Sequence, residues 1–246
     1  RQRQMCIRDR VYNAQVICEQ AKEAAEHGAK IVVFPELCIT GYTCNDLFLQ
    51  ELLLEKAKEA LLTIAEETGQ LETLFLVGLP VDKDGRLYNV AAVLYRGRIL
   101  GMIPKKNIPM YAEFYEGRHF TPGEETVTEY RLGKQVIPFG SNLLFRCEEL
   151  PELILGCELC EDLWVAEPPS TSHALMGATV IANLSASNET VSKDDYRTLL
   201  IKASSARLLC GYIYTSAGEG ESTQDLVFGG HDLIAENGTL LVPVSY

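Results

Sequence analysis

The sequence is short of positive charge. Its 246 residues include 22 Lys or Arg against 34 Asp or Glu, a formal net charge of −12, and no run of Lys or Arg exceeds three residues. A broad field of that sign repels phosphate, which excludes nucleic acid and anionic lipid as partners held by general electrostatics. Long hydrophobic runs are missing too: none approaches the ~20 apolar residues that a spanning helix needs, so no membrane partner is expected. Residues 1–10 carry four arginines and no apolar core, which is not the pattern of a secretory signal. Cysteine is sparse, eight in the whole chain, well below the density of a disulfide scaffold. Cys18, Cys147, Cys157 and Cys210 lie in apolar segments, as expected of small core residues in a reducing cytoplasm. His119, His173 and His231 are widely dispersed and no second close Cys/His pair exists, so no metal site is expected.

What is present is an ordinary globular balance, 47% apolar and 23% charged, in a chain long enough for one large α/β domain. There is no internal repeat and no Pro/Ser-rich linker. Apolar residues at helical spacing predict helices over 13–28, 46–67, 170–177 and 194–209. β-Branched runs predict strands over 30–34, 74–79, 87–95, 99–103, 142–147, 152–159, 179–184 and 211–216, then a pair around the Asn237-Gly238 turn. Residues 104–141 read as a long irregular loop, a feature that is usually functional. Strands alternate with helices but hairpins interrupt the alternation, so mixed sheets flanked by helices are expected rather than one parallel sheet.

Three segments place a reactive side chain at the end of a predicted strand, where α/β sheets build ligand sites. In Val33-Phe34-Pro35-Glu36, a carboxylate follows directly on an apolar strand, so poor solvation should raise its pKa towards the range of a general base. A loop Glu in a salt bridge has the same local sequence. In Ile103-Pro104-Lys105-Lys106, either lysine turned inward would offer fixed positive charge to an oxyanion. In Cys157-Glu158-Leu159-Cys160-Glu161, a strand over 153–159 sets Cys157 and Cys160 on opposite parities. Cys160, at the strand's end, is then the better nucleophile, and a redox disulfide between the two is disfavoured. The loop Gly218-Glu219-Gly220-Glu221 lacks the third glycine and lysine of a phosphate cradle and reads as a pocket wall. Trp164, the one tryptophan, reads as a core or interface anchor.

These segments resemble the Glu-Lys-Cys pattern of the nitrilase (carbon–nitrogen hydrolase) superfamily, and in particular the amino-terminal glutaminase domain of the glutamine-dependent NAD synthetase family. The resemblance rests on F-P-E-L-C-I-T-G-Y-T-C-N-D-L-F (34–48), P-K-K-N-I-P-M-Y-A-E-F-Y-E (104–116), C-E-D-L-W-V-A-E-P-P-S (160–170), N-L-S-A-S-N-E (183–189) and G-E-G-E-S-T-Q-D (218–225), in the family's order. It implies an α-β-β-α sandwich of two mixed sheets flanked by helices. It also implies that Glu36, Lys105 and Cys160 release ammonia from L-glutamine through a Cys160 thioester. Glu113 would be the additional carboxylate that many members place beside the triad. Tyr111, Glu161, Ser187 and Lys193 would contact the substrate, and Lys105 would favour a thiolate before turnover. No cofactor is implied for this domain; ATP and magnesium belong to the family's synthetase domain, a partner in cis, and the family assembles as homo-oligomers.

Two departures from the family pattern stand out. An apolar first strand is expected ahead of the first helix, and residues 1–10 show no strand pattern; they read as a non-native or unstructured segment before a domain over 11–246. The S-G-G-x-D-S type loop of the synthetase domain does not occur in the sequence, so glutaminase activity is the most expected of these residues. The alternatives are a free-standing amidase of the same superfamily acting on another amide, and a catalytically inactive interaction domain.

Overall fold

The computed structural model describes residues 10–218, 220–221 and 225–241. Readings that fall on residues 1–9, on Glu219, on 222–224 and on 242–246, the end of the expected domain, lie outside the described residues; of the segment 1–10 only Arg10 is described, and it opens the first helix.

Two six-stranded sheets lie face to face. The first contains β1 (Ile31–Val33), β2 (Leu74–Lys83), β3 (Arg86–Tyr95), β4 (Arg98–Pro104), β5 (Thr128–Leu132) and β6 (Gln135–Phe139), in the order β1-β2-β3-β4-β6-β5. The second contains β7 (Leu144–Arg146), β8 (Ile154–Leu159), β9 (Val180–Ser185), β10 (Gly211–Ser216), β11 (Leu233–Glu236) and β12 (Thr239–Leu240), paired in sequence order. Both are mixed: β1 runs parallel to β2, and β8, β9 and β10 are mutually parallel, while hairpins supply the antiparallel pairs. Helices α1 (Arg10–Glu26) and α2 (Glu51–Glu67) cover the first sheet; α3 (Pro169–Leu175) and α4 (Lys193–Leu208) cover the second.

Side-chain alternation along the strands builds the layers. Leu76, Ala91, Val93 and Ile103 from the first sheet meet Leu155, Cys157, Leu159, Ala182 and Leu184 from the second. The opposite faces take Ile17, Ala21, Leu61 and Ile64 of α1 and α2 against Phe75, Val77 and Leu79. On the other side, Ile201 of α4 packs with Ile181, Tyr212 and Tyr214. Each buried Leu, Ile or Phe contributes about 1.5–3 kcal/mol relative to exposure. The strands are buried on both faces for this reason, and the expected α-β-β-α sandwich is what the chain forms.

Three expectations are corrected. The helix read over 46–67 is two pieces, a 3₁₀ turn Asn45–Leu49 and then α2, separated by extended Gln50. Phe48 drops into a pocket with Leu37, Cys44, Leu53 and Phe120, which turns the chain without breaking the apolar spacing. Residues 104–141 are not wholly irregular, because β5 and β6 form a hairpin within them. Its inward residues Tyr130, Leu132, Ile137 and Phe139 alternate with exposed Glu129, Arg131, Val136 and Pro138. Pro138 hides the strand in sequence and is tolerated because β6 is paired in register with β4 only at Met102–Phe139. β2 continues past the expected 79 to Lys83, through Pro80.

Candidate active site

β4 lies two antiparallel steps from β2 and therefore runs the same way as β1. Glu36 and Lys105 accordingly leave the first sheet at one end. Glu36 N–H donates to Ser185 O of the second sheet at 3.3 Å. The turn after Glu36 places Leu37 at φ +52° and lies directly on β2. A Cβ on Gly78 would stand 2.3 Å from Leu37 N, so only glycine admits the turn at that closeness.

The side chains that meet there are sealed from solvent. Glu36 and Lys105 are 0% exposed and Glu116 is 5% exposed. Lys105 Nζ donates to Glu36 Oε1 at 2.7 Å and to Glu116 Oε1 at 2.6 Å. Asn89 Nδ2 donates to Glu36 Oε1 at 2.7 Å, and Ala186 N–H donates to Glu36 Oε2 at 2.9 Å. Tyr42 O–H donates to Glu116 Oε1 at 2.8 Å. Of the two lysines that the sequence left open, Lys105 is the inward one; Lys106 pairs with Glu125 at the surface at 2.5 Å.

Two carboxylates share one ammonium here, and the electrostatics follow. Burial raises Glu36, Lys105 opposes the rise and Glu116 adds to it, leaving Glu36 at about 7. Burial works against the charge on Lys105, but Glu116 and Glu36 outweigh it and hold the ammonium well above its ordinary range.

Cys160 follows β8 as the first residue of a 3₁₀ turn, Cys160–Leu163, at φ +40°. Cys157 sits on the inter-sheet face of β8 among apolar side chains, so the two sulfurs serve different layers, as strand parity indicates. Burial pushes the Cys160 thiol up to about 12, with Glu36 adding and Lys105 opposing. Lys105 does act towards the thiolate, as expected, but burial together with the neighbouring carboxylates outweighs that one cation.

A cleft of about 450 Å³ opens over Cys160, lined by Tyr111, Glu113, Phe114, Glu161, Trp164, Ser187 and Lys193 among others. Burial raises the Glu161 carboxyl, against the hydrogen bond from Tyr111 O–H at 3.0 Å. Lys193 Nζ lies 5.4 Å from the Phe114 ring centroid and 5.3 Å from that of Trp164, and donates to Asn188 Oδ1. Trp164 is thus a wall of the cleft and, as the sequence suggests, also packs against the core of Ile181, Ile201, Tyr212 and Tyr214. Glu221 ties down the opposite loop, accepting from Tyr42 N–H at 2.8 Å and Thr43 O–H at 3.1 Å.

One assigned position moves. The carboxylate bonded to Lys105 is Glu116, not Glu113; Glu113 sits at the cleft wall and accepts from Asn188 Nδ2. Both belong to the run Ala112-Glu113-Phe114-Tyr115-Glu116. Ala112, at φ +49°, turns that run so that Phe114 and Glu116 are buried while Tyr115 faces out. Spacing alone could not rank the two acids. Asn89 and Tyr42 were missed entirely; a polar Asn within the apolar run of β3 was the available signal, since buried amides need partners.

A model of the carbon-nitrogen hydrolase family matches residues 1–244. A glutamine-dependent NAD(+) synthetase of Mycobacterium bovis is 43% identical over 235 residues, 96% of this chain and 35% of that protein. One of Thermotoga maritima is 33% identical over 227 residues, again covering 35% of the relative. The chain therefore spans about a third of the length of the curated relatives it matches. A crystal structure of a glutamine-dependent NAD(+) synthetase from Cytophaga hutchinsonii aligns with a TM-score of 0.87 at 30% identity, over 97% of this chain and 38% of that one. An amidase of the nitrilase superfamily from Nesterenkonia aligns at 0.75 and 21% identity, a likeness of fold. No helix among the described residues is long and apolar enough to cross a membrane.

Proposed function

The chain belongs to the carbon-nitrogen hydrolase family, and from that premise we propose that it is a glutamine amidohydrolase domain releasing ammonia through a Cys160 thioester. The observation that carries the reading is one cleft lined by Cys160, a cation, Lys193, and an acid, Glu161. Those opposite charges suit the α-carboxylate and α-ammonium of an amino acid and offer nothing to a simple amide. Tyr111 would orient Glu161, and Ser187 would contact the substrate backbone.

In the proposed reaction Glu36 takes the Cys160 proton as sulfur attacks the side-chain amide carbon. The thiol is protonated at rest, so proton removal accompanies attack. Lys105 has three N–H donors, two of them spent on Glu36 and Glu116; the third is free for the oxyanion. The N–H of Glu161, in the first turn of a 3₁₀ helix and so without an intrahelical acceptor, is the second donor. Glu36 then protonates the leaving nitrogen, ammonia departs, and water activated by Glu36 hydrolyses the thioester to glutamate. In a longer enzyme that ammonia would serve ATP-dependent amidation of deamido-NAD to NAD by a synthetase domain in cis, with ATP and magnesium confined to that domain. A cytoplasmic location follows from that role.

The test is kcat/KM for ammonia release from L-glutamine against propionamide. Because the cleft charges would stay unpaired with the simple amide, glutamine should be preferred at least about 100-fold. Equal turnover of both would favour a free-standing amidase, and turnover of neither an interaction domain. We also propose a homo-oligomer, on the exposed apolar residues Leu175, Tyr196 and Leu199 of α3 and α4; a monomeric mass in sedimentation would contradict it.

The two acids of the 112–116 run should separate by pH. Glu36 must be ionised to act as base, so kcat/KM should fall as pH drops below about 7. Glu116 raises Glu36, so Glu116→Gln should lower the Glu36 pKa and move this acid limb to lower pH. Glu113→Gln should leave the limb in place and act on KM. A limb that moved with Glu113→Gln and not with Glu116→Gln would reverse the assignment.

A further inference from the structure

Of the three residues assigned to the chemistry, only Cys160 has a backbone in the left-handed region, at φ +40°. A non-glycine residue held there costs about 1–3 kcal/mol and persists only where its surroundings over-determine it. Those surroundings are polar bonds on both flanks. On one side Leu159 N–H donates to Asp162 Oδ2 at 3.0 Å, and Asp162 Oδ1 accepts from Asn107 N–H and Nδ2, each at 2.8 Å. That flank is thereby tied to the loop after Lys105. On the other side Cys160 N–H donates to Asn183 Oδ1 at 3.2 Å.

Asn183 lies on β9, beside β8, and is 0% exposed. Its Oδ1 also accepts from Ser185 Oγ at 2.7 Å, and its Nδ2 donates to the Tyr212 hydroxyl at 3.4 Å. Tyr212 donates in turn to Glu158 Oε1, and Glu158 Oε2 accepts from Ser170 N–H at 2.8 Å. The network has a direction. Tyr212 gives its proton to Glu158 and so offers Asn183 a lone pair, which turns the amide nitrogen towards Tyr212 and the oxygen towards Cys160. The opposite flip would set NH2 against two donors, Cys160 N–H and Ser185 O–H.

We propose that Asn183 is the positioning residue of the nucleophile. Its Oδ1 fixes the left-handed backbone that aims Cys160 Sγ at Glu36 and occupies the Cys160 N–H, leaving Glu161 N–H to the oxyanion. Tyr212 and Glu158 set the orientation of its amide. The kinetic part rests on the proposed glutaminase function; the positioning part does not, because thiol reactivity reads it without glutamine.

The experiment measures the rate of iodoacetamide alkylation at Cys160, by peptide mass spectrometry, together with kcat and KM on glutamine, for the parent chain, Asn183→Ala and Asn183→Asp. Displacing a reacting atom by about 1 Å can cost 100-fold. Asn183→Ala should therefore alkylate and turn over about 10- to 100-fold more slowly, with KM within about twofold. Asn183→Asp distinguishes positioning from mere core satisfaction. Its neutral carboxyl presents the same acceptor, so alkylation near about pH 6 should approach the parent; once ionised it sets an anion beside the thiol, so the ratio to parent should fall as pH rises. A folded Asn183→Ala chain alkylating within about threefold of the parent would overturn the proposal, as would a loss confined to KM. If the alanine variant does not fold, the pH-dependent ratio of Asn183→Asp carries the test, and a flat ratio overturns it. A parent chain inert towards glutamine whose alkylation still follows this pattern would defeat the glutaminase reading and leave the positioning role standing.

Discussion

Cys160→Ala is expected to lower ammonia release from L-glutamine by at least about 10⁴-fold, because losing the nucleophile of such a unit costs nearly as much as losing all of it. The fold should survive. Cys160 is a small residue at the end of β8, and alanine removes only the sulfur while keeping the backbone N–H that donates to Asn183 Oδ1. Cys157→Ala is the control that makes the result specific. Cys157 is 0% exposed in the inter-sheet core, so its truncation should cost about 1 kcal/mol of packing and little activity. Circular dichroism and thermal melting would establish that both variants are folded, and steady-state ammonia release would rank them. Comparable losses in the two variants would return the nucleophile assignment to the ambiguity of the C-x-x-C pair.

Lys105→Met should be the most destabilising single change at the site. It leaves Glu36 and Glu116 buried against each other with no counter-ion, and breaking a buried pair from one side costs about 3–5 kcal/mol. The sign with pH is fixed. In the parent chain Glu36 is raised from 4.5 to about 7, so its favourable contribution is full below the unfolded value and declines as pH rises through about 7. Lys105 opposes that rise most strongly, with the Asn89 hydrogen bond adding to the opposition. Without Lys105, Glu36 goes higher still, and the loss of stability extends to higher pH. Urea unfolding of the variant should therefore show a deficit that is small under mildly acidic conditions and grows above neutral pH. A deficit independent of pH would mean that the carboxylates find other partners. Activity should fall with stability but not because of it, since the donor proposed for the oxyanion is gone even where the variant stays folded; losing one such donor costs about 10²–10³-fold in kcat.

Much of this site was legible from the sequence for a physical reason. Glu36, Lys105 and Cys160 each follow a largely apolar strand, and a charged or nucleophilic residue at such a boundary is visible without knowing what it faces. Period-two alternation likewise separated Cys157 from Cys160. What stayed hidden depends on contacts distant in sequence. Glu116 and Glu113 are three residues apart in one loop, and only the turn at Ala112 and the burial of Phe114 decide which reaches Lys105. Asn89 acts across three strands, and the Asn183–Tyr212–Glu158 network joins three parallel strands whose order no local pattern fixes. The hairpin over β5 and β6 escaped because charged outward residues and Pro138 mask a strand whose inward face carries only two apolar residues per segment.

The central claim is that Cys160 is a nucleophile in a glutamine-shaped cleft, and covalent capture tests both halves at once. The folded chain would be treated with an electrophilic diazo-ketone analogue of glutamine, digested, and mapped by mass spectrometry, with excess L-glutamine as competitor. The account predicts a single adduct on the Cys160 peptide, suppressed by glutamine and abolished by Cys160→Ala. An adduct on Cys157, or no adduct on a chain that melts cooperatively, would contradict it.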